Sequence, residues 1–270
     1  PIIFLHGLLG NKKNNKTAAK RLSNLLNTTL IIPDLRNHGD SFHLRPHTNE
    51  SMSNDITHLI QHLSTVDPKS FPKDSRFIVM GHSMGGKVAM IHALRYPDIV
   101  AGVISIDNIP YTSPSSSLKE FELFHLYLNH LIKHLTPSNA AARYTKISQI
   151  DELLAEVERR PLVRKFIVSN LYKDKVTHEI KSKIPLALIN ESIENLISFQ
   201  LESTSIDSLP KYEHPALIIR ATQSTFIGSD VDYPAIDKHY GDYQVIDMDC
   251  GHWIVSEKQK EFVELVSKWI

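Results

Sequence analysis

A serine set between two glycines, Gly81-His82-Ser83-Met84-Gly85, follows the apolar run Phe77-Ile78-Val79-Met80 and precedes Lys87 to Tyr96, which reads as a helix stopped by Pro97. Strand, sharp turn and helix in that order describe a nucleophile elbow: the turn strains one residue and leaves its hydroxyl exposed, and side chains at the flanking glycines would collide. A serine hydroxyl is a weak nucleophile at neutral pH, so Ser83 requires a base within hydrogen-bond reach and a carboxylate to orient that base. The chemistry in view is acyl transfer through an acyl-serine.

Among 15 histidines, His252 is the candidate base. It stands in Asp249-Cys250-Gly251-His252-Trp253, after the last apolar strand run, where Gly251 lets a loop return the imidazole over the elbow. The candidate acid is Asp107, directly beyond the strand Val103 to Ile106 and at the same sheet edge as Ser83. Asp230 and Asp232 compete with it from a later loop. The oxyanion hole is expected from two backbone N–H groups, those of Met84 and of Leu8, the latter following His6-Gly7 at the end of the first strand.

Other clusters read as structural. His58 with His62 and His130 with His134 have i, i+4 spacing but lack the Glu of H-E-x-x-H and a third ligand, so solvated helix faces are expected and no metal site. Gly7 to Lys13 lacks the phosphate-loop pattern, and Gly10 is expected to serve turn geometry alone. Asp34 to Ser41 reads as a polar turn hydrogen-bonding at the rim of the site. Cys250, the one cysteine, reads as a small half-buried neighbour of His252.

These groups need a scaffold. Ile2–Leu5 and Leu30–Ile32 read as buried parallel strands joined by a helix through Ala18, Ala19, Leu22, Leu25 and Leu26. A second helix runs through Met52, Ile56, Leu59, Ile60 and Leu63, and the strands at 77–80 and 103–106 follow. Alternating strands and helices indicate a parallel sheet covered on both faces. From Asn108 to about Pro210 the pattern changes to a Ser/Pro-rich link, Thr112 to Ser117, and then helices, one through Phe121, Phe124, Leu128, Leu131 and Leu135. An inserted helical cap is therefore expected over 108–210, with a core of 1–107 and 211–270. The core resumes with strands Ala216–Ile219 and Tyr243–Met248 and a final helix carrying Phe262, Leu265, Val266 and Trp269.

With 270 residues, 41% hydrophobic and 22% charged, one α/β domain carrying an insertion is expected. Lysine plus arginine equals aspartate plus glutamate at 30 each, so nothing in the charge favours nucleic acid or an anionic membrane, and no apolar run reaches transmembrane length. The chain opens with Pro1 directly in a strand, so any targeting peptide would precede it.

Together these residues resemble the α/β-hydrolase superfamily along the whole chain, and more closely the group of yeast ethanol acetyltransferases and related mitochondrial abhydrolases. The resemblance rests on Phe4 to Gly10, Leu35 to Ser41, Gly81 to Lys87, Ile218 to Ser224 and Gly251-His252-Trp253. Many members place the acid after the strand that follows the cap, where this chain has Arg220-Ala221-Thr222-Gln223-Ser224 and no carboxylate; in the closer group it follows the strand before the cap, in agreement with Asp107. The resemblance also implies two strands ahead of the first one here, acyl transfer from acetyl-CoA to ethanol, thioesterase and esterase side activity, and a mitochondrial address. Small-molecule substrates are thus the expected partners. A hydrolase without transferase activity, or a non-catalytic binding protein of the same fold, are the competing expectations.

Overall fold

The computed structural model describes residues 1–111, 115–135, 144–229 and 231–270. In chain order the elements are β1 (Ile2–Leu5), α1 (Lys12–Leu26), β2 (Leu30–Ile31), α2 (Asn49–Val66), β3 (Phe77–His82), α3 (Met84–Arg95) and β4 (Val100–Ile106). Then come α4 (Ser115–Leu135), α5 (Ile147–Leu154), α6 (Pro161–Val168), β5 (Leu171–Lys173), β6 (Ile180–Ser182) and α7 (Leu186–Ile197). The chain closes with β7 (Ala216–Ala221), α8 (Tyr233–His239), β8 (Tyr243–Met248), α9 (Ile254–Glu257) and α10 (Gln259–Trp269).

Six strands form one sheet in the order β2-β1-β3-β4-β7-β8, every pair parallel. Side chains alternate across it as a period of two requires. Ile3, Leu5, Val79, Val103 and Ile218 face a core shared with α2, α3 and the inserted helices. Ile2, Phe4, Met80, Ile104, Leu217 and Ile219 face the opposite core, closed by Ala18 and Leu22 of α1 and Phe262 and Val266 of α10. Both faces of the inner strands are thus covered, which is why β1 and the stretches 77–80, 103–104 and 216–219 read as apolar runs. The strand order sets β4 between β3 and β7, so the ends of β3 and β4 share one edge.

Local chemistry fixes the helix ends. Asn11 and Thr48 cap α1 and α2, each with a reciprocal capping box, and Asn27 ends α1 in the left-handed region. The insertion between β4 and β7 holds α4 to α7, as its periodicity predicts, but also an antiparallel pair, β5 with β6, which three-residue strands are too short to announce. The short α8 likewise escapes periodicity. Part of the Ser/Pro-rich link, residues 112–114, and Asp230 lie outside the described residues. The insertion is pinned to the core by polar side chains. Asn49 Nδ2 donates to the carbonyls of Asn195, Leu196 and Ser198 at the end of α7, and Glu50 accepts from the Glu202 and Ser203 amides. No helix among the described residues is long and apolar enough to cross a membrane.

Candidate active site

Ser83 occupies the turn between β3 and α3 with φ 54° and ψ −116°, a conformation a non-glycine residue holds only under strain. The turn is tight enough to require its glycines: a Cβ on Gly81 would lie 2.1 Å from the Gly85 carbonyl oxygen, and one on Gly85 would lie 2.6 Å from that of His6. Ser83 stands at the N-cap of α3 yet makes no side-chain capping bond, so its hydroxyl is not spent on the helix. Its amide donates to Ile106 O (2.8 Å), which ties the elbow to the end of β4.

Asp107, the next residue, is fully buried and also left-handed, at φ 54°. Its Oδ1 accepts from the Ala221 amide (3.1 Å) and its Oδ2 bonds His252 Nδ1 at 2.7 Å. That bond places the proton on Nδ1 and leaves Nε2 as the acceptor nitrogen. Among the described residues neither Nε2 nor the Ser83 hydroxyl makes a hydrogen bond, and both residues line one cavity of about 620 Å³. Leu8, Phe124, Leu162, Phe166, Trp253 and Val255 give that cavity largely apolar walls. A second cavity, of about 410 Å³, shares His252 and Trp253 with it. The structure thus brings Ser83, Asp107 and His252 to one rim. The competing Asp232 is occupied elsewhere, capping α8 through the Ala235 amide (3.0 Å).

Leu8 and Met84 carry backbone amides without a partner among the described residues, Met84 at the positive N-terminal end of α3. The loop bearing Leu8 is held by two neutral imidazoles. His6 donates from Nδ1 to Gly7 O (2.9 Å) and accepts at Nε2 from the Leu35 amide (2.9 Å). His38 donates to Arg36 O (3.0 Å) and accepts from the amide of Leu9 (3.1 Å), a residue at φ 58°. Burial depresses both, His6 to about 4 and His38 well below the ordinary histidine range. The turn at 34–41 thus hydrogen-bonds the loop that carries Leu8, as its composition suggests.

Three neighbours of His252 escape sequence reasoning. Phe226 stacks on the imidazole at 3.9 Å and 15°, with no pattern in the sequence to signal it. His82, the variable position of the elbow motif, bonds through Nε2 to the His252 carbonyl (2.7 Å), and burial first and the adjacent His252 second push it down to about 3. Glu257 accepts from the Gly251 amide (2.8 Å), bracing the loop from its far side. Cys250 is buried, and desolvation followed by the charge of Glu257 raises its thiol to about 11, which makes it inert at neutral pH. His58 and His62 are exposed on α2. His130 and His134 depart from a solvated face: they are half-buried with rings 4.7 Å apart, and His134 bonds Tyr144 Oη (3.1 Å).

A family model described as the alpha/beta hydrolase fold matches residues 1–259. The chain belongs to the α/β-hydrolase family. It is similar to a probable alcohol acetyltransferase of Saccharomyces cerevisiae, 33% identical over all of this chain and 77% of that protein. It is also similar to an sn-1-specific diacylglycerol lipase of Danio rerio, 31% identical over 98% of this chain and 77% of the relative. Among solved structures, a marine microorganism esterase superposes with a TM-score of 0.85 at 26% identity, covering 100% of this chain and 95% of the esterase. Relatives of this α/β hydrolase thus include enzymes of ester formation and of ester cleavage.

Proposed function

We propose that the chain is a serine-dependent acyltransferase that makes ethyl acetate from acetyl-CoA and ethanol. Ser83 Oγ attacks the thioester carbonyl while His252 Nε2 takes the hydroxyl proton, and Asp107 holds the ring and balances the imidazolium charge. The Leu8 and Met84 amides receive the developing oxyanion. Collapse of the tetrahedral intermediate breaks the C–S bond, and His252 returns its proton to the departing CoA thiolate. The acetyl-serine then reacts with ethanol, again deprotonated by His252, to release ethyl acetate and restore the serine. Water in place of ethanol yields acetate, so thioesterase and esterase activity belong to the same site.

The observation that carries this reading is the 2.7 Å bond from His252 Nδ1 to buried Asp107, with His252 and Ser83 lining one cavity. The yeast relative's name supports the acetyl and alcohol assignment. Incubating pure protein with acetyl-CoA and ethanol, and measuring ethyl acetate beside free acetate, tests it. Acetate without ester removes the transferase claim, and failure of a fluorophosphonate to label Ser83 removes the acyl-serine itself. A mitochondrial address belongs to the same proposal and is read by imaging the tagged full-length protein.

One observation favours a second reading. A largely apolar cavity of about 620 Å³ exceeds what an acetyl group fills, and it suits the larger acyl groups of a glyceride such as the lipase relative's name describes. Release of fatty acid from diacylglycerol at a higher kcat/KM than acetyl-CoA turnover would select it.

A further inference from the structure

Lys87 lies one helical turn beyond the nucleophile position, its amide donating to Ser83 O (3.1 Å), and its side chain is only 1% exposed. Among the described residues no carboxylate pairs with it; its two partners are carbonyl oxygens, Tyr111 O at 3.3 Å and Ile197 O. Burial alone pushes its ammonium down to about 7. Taking a cation from water without a counter-charge is costly, and Met or Leu would fill the space without that cost. The partners show what the charge accomplishes. Tyr111 belongs to the segment by which the chain leaves β4 for the insertion, and Ile197 is the last residue of α7, just before the chain returns to the core. One ammonium on the elbow helix therefore holds both crossings, and at Ile197 it meets the negative end of a helix dipole.

This clasp reaches the cavity wall. The neighbouring C-terminal carbonyls of α7 are held from the core by Asn49. In turn α7 packs against α4, and α4 contributes Phe124 to the cavity that Ser83 lines. α7 thus links the elbow helix, through α4, to the cavity wall that holds Phe124.

We propose that Lys87 is a positioning residue that fixes the inserted helices against the elbow helix and thereby limits the size of acyl group admitted to Ser83. The inference rests on the acyl-serine reading. Its test is the ratio of kcat/KM for p-nitrophenyl decanoate to that for p-nitrophenyl acetate, in wild type and in Lys87→Met, which keeps the chain length and removes the charge. Released from the clasp, the wall retreats: the ratio is expected to rise roughly tenfold, through a lower KM for decanoate, with kcat on acetate within about twofold of wild type. Fluorophosphonate labelling of Ser83 is expected to continue at the wild-type rate. A purely structural lysine would leave the ratio unchanged while lowering stability, so an unshifted ratio in folded Lys87→Met, or equal changes on both esters, overturns the proposal. Should Lys87→Met not fold, Lys87→Gln, which keeps a donor for one carbonyl, is expected to show a smaller rise. If neither variant folds, Lys87 is a folding determinant and the proposal falls. Absence of labelling in wild type would instead sink the acyl-serine reading and is seen separately.

Discussion

Lowering the pH from 7 to about 5.5 should remove a large share of the stability of this protein, because five of its buried histidines are held neutral. Burial is the first cause for each of them: His6 and His47 are depressed to about 4, His82 and His92 to about 3, and His38 well below its ordinary value. Hydrogen bonding agrees for two. His6 and His38 each accept an amide at Nε2, and a proton there would face the N–H of Leu35 or Leu9. Among the described residues His47 has no partner on either nitrogen and His92 none on Nε2, so a charge on these would be buried without a partner there. In the unfolded chain all five take a proton near pH 6.5. The unfolded state therefore binds more protons below that pH, and the stability present above 6.5 is lost as pH falls toward the folded values. The loss per ring between pH 7 and 5.5 is on the order of 1 kcal/mol, so the five together remove on the order of 5 kcal/mol, against a typical total of roughly 5–15. Urea unfolding followed by circular dichroism at both pH values measures it. His92→Leu, remote from the site, should lose on the order of 1 kcal/mol less than wild type over the same interval. A change below about 2 kcal/mol in the wild type would mean that the five rings are already protonated or solvated in the native state, against what their burial requires.

Two further outcomes concern the site. Asp107→Asn should keep the fold but lower kcat by up to about four orders of magnitude, because the amide presents the wrong hydrogen-bond partner to Nδ1; steady-state ester hydrolysis measures this, and near-normal rates would return the acid to Asp230 or Asp232. His38→Phe should strand the Leu9 amide, costing about 1–3 kcal/mol in urea titration, and should lower kcat by up to roughly a hundredfold by loosening the adjacent Leu8 amide.

What could be read before folding was local. A strand that buries both faces is an apolar run, a helix start carries its capping residue, and the elbow demands glycines at 81 and 85, so the sheet, most helices and the candidate nucleophile were legible. His252 was legible because its loop follows the last strand. Asp107 could be favoured but not separated from Asp230 and Asp232; strand order alone sets the end of β4 beside β3, and the α8 cap occupies Asp232, while Asp230 lies outside the described residues. The β5–β6 pair was too short to carry a period, and the stacking of Phe226, the imidazole props under Leu8 and the carbonyls around Lys87 leave no mark at all in the chain. The reason is physical: backbone periodicity and turn chemistry act over a few residues, whereas the partner of a buried polar group is chosen by packing between segments tens to more than a hundred positions apart. The elbow, the layers and the types of reacting group are written in the chain; which carboxylate meets the imidazole, what keeps the histidines neutral and how closely the inserted helices stand over the serine come only from packing between distant segments.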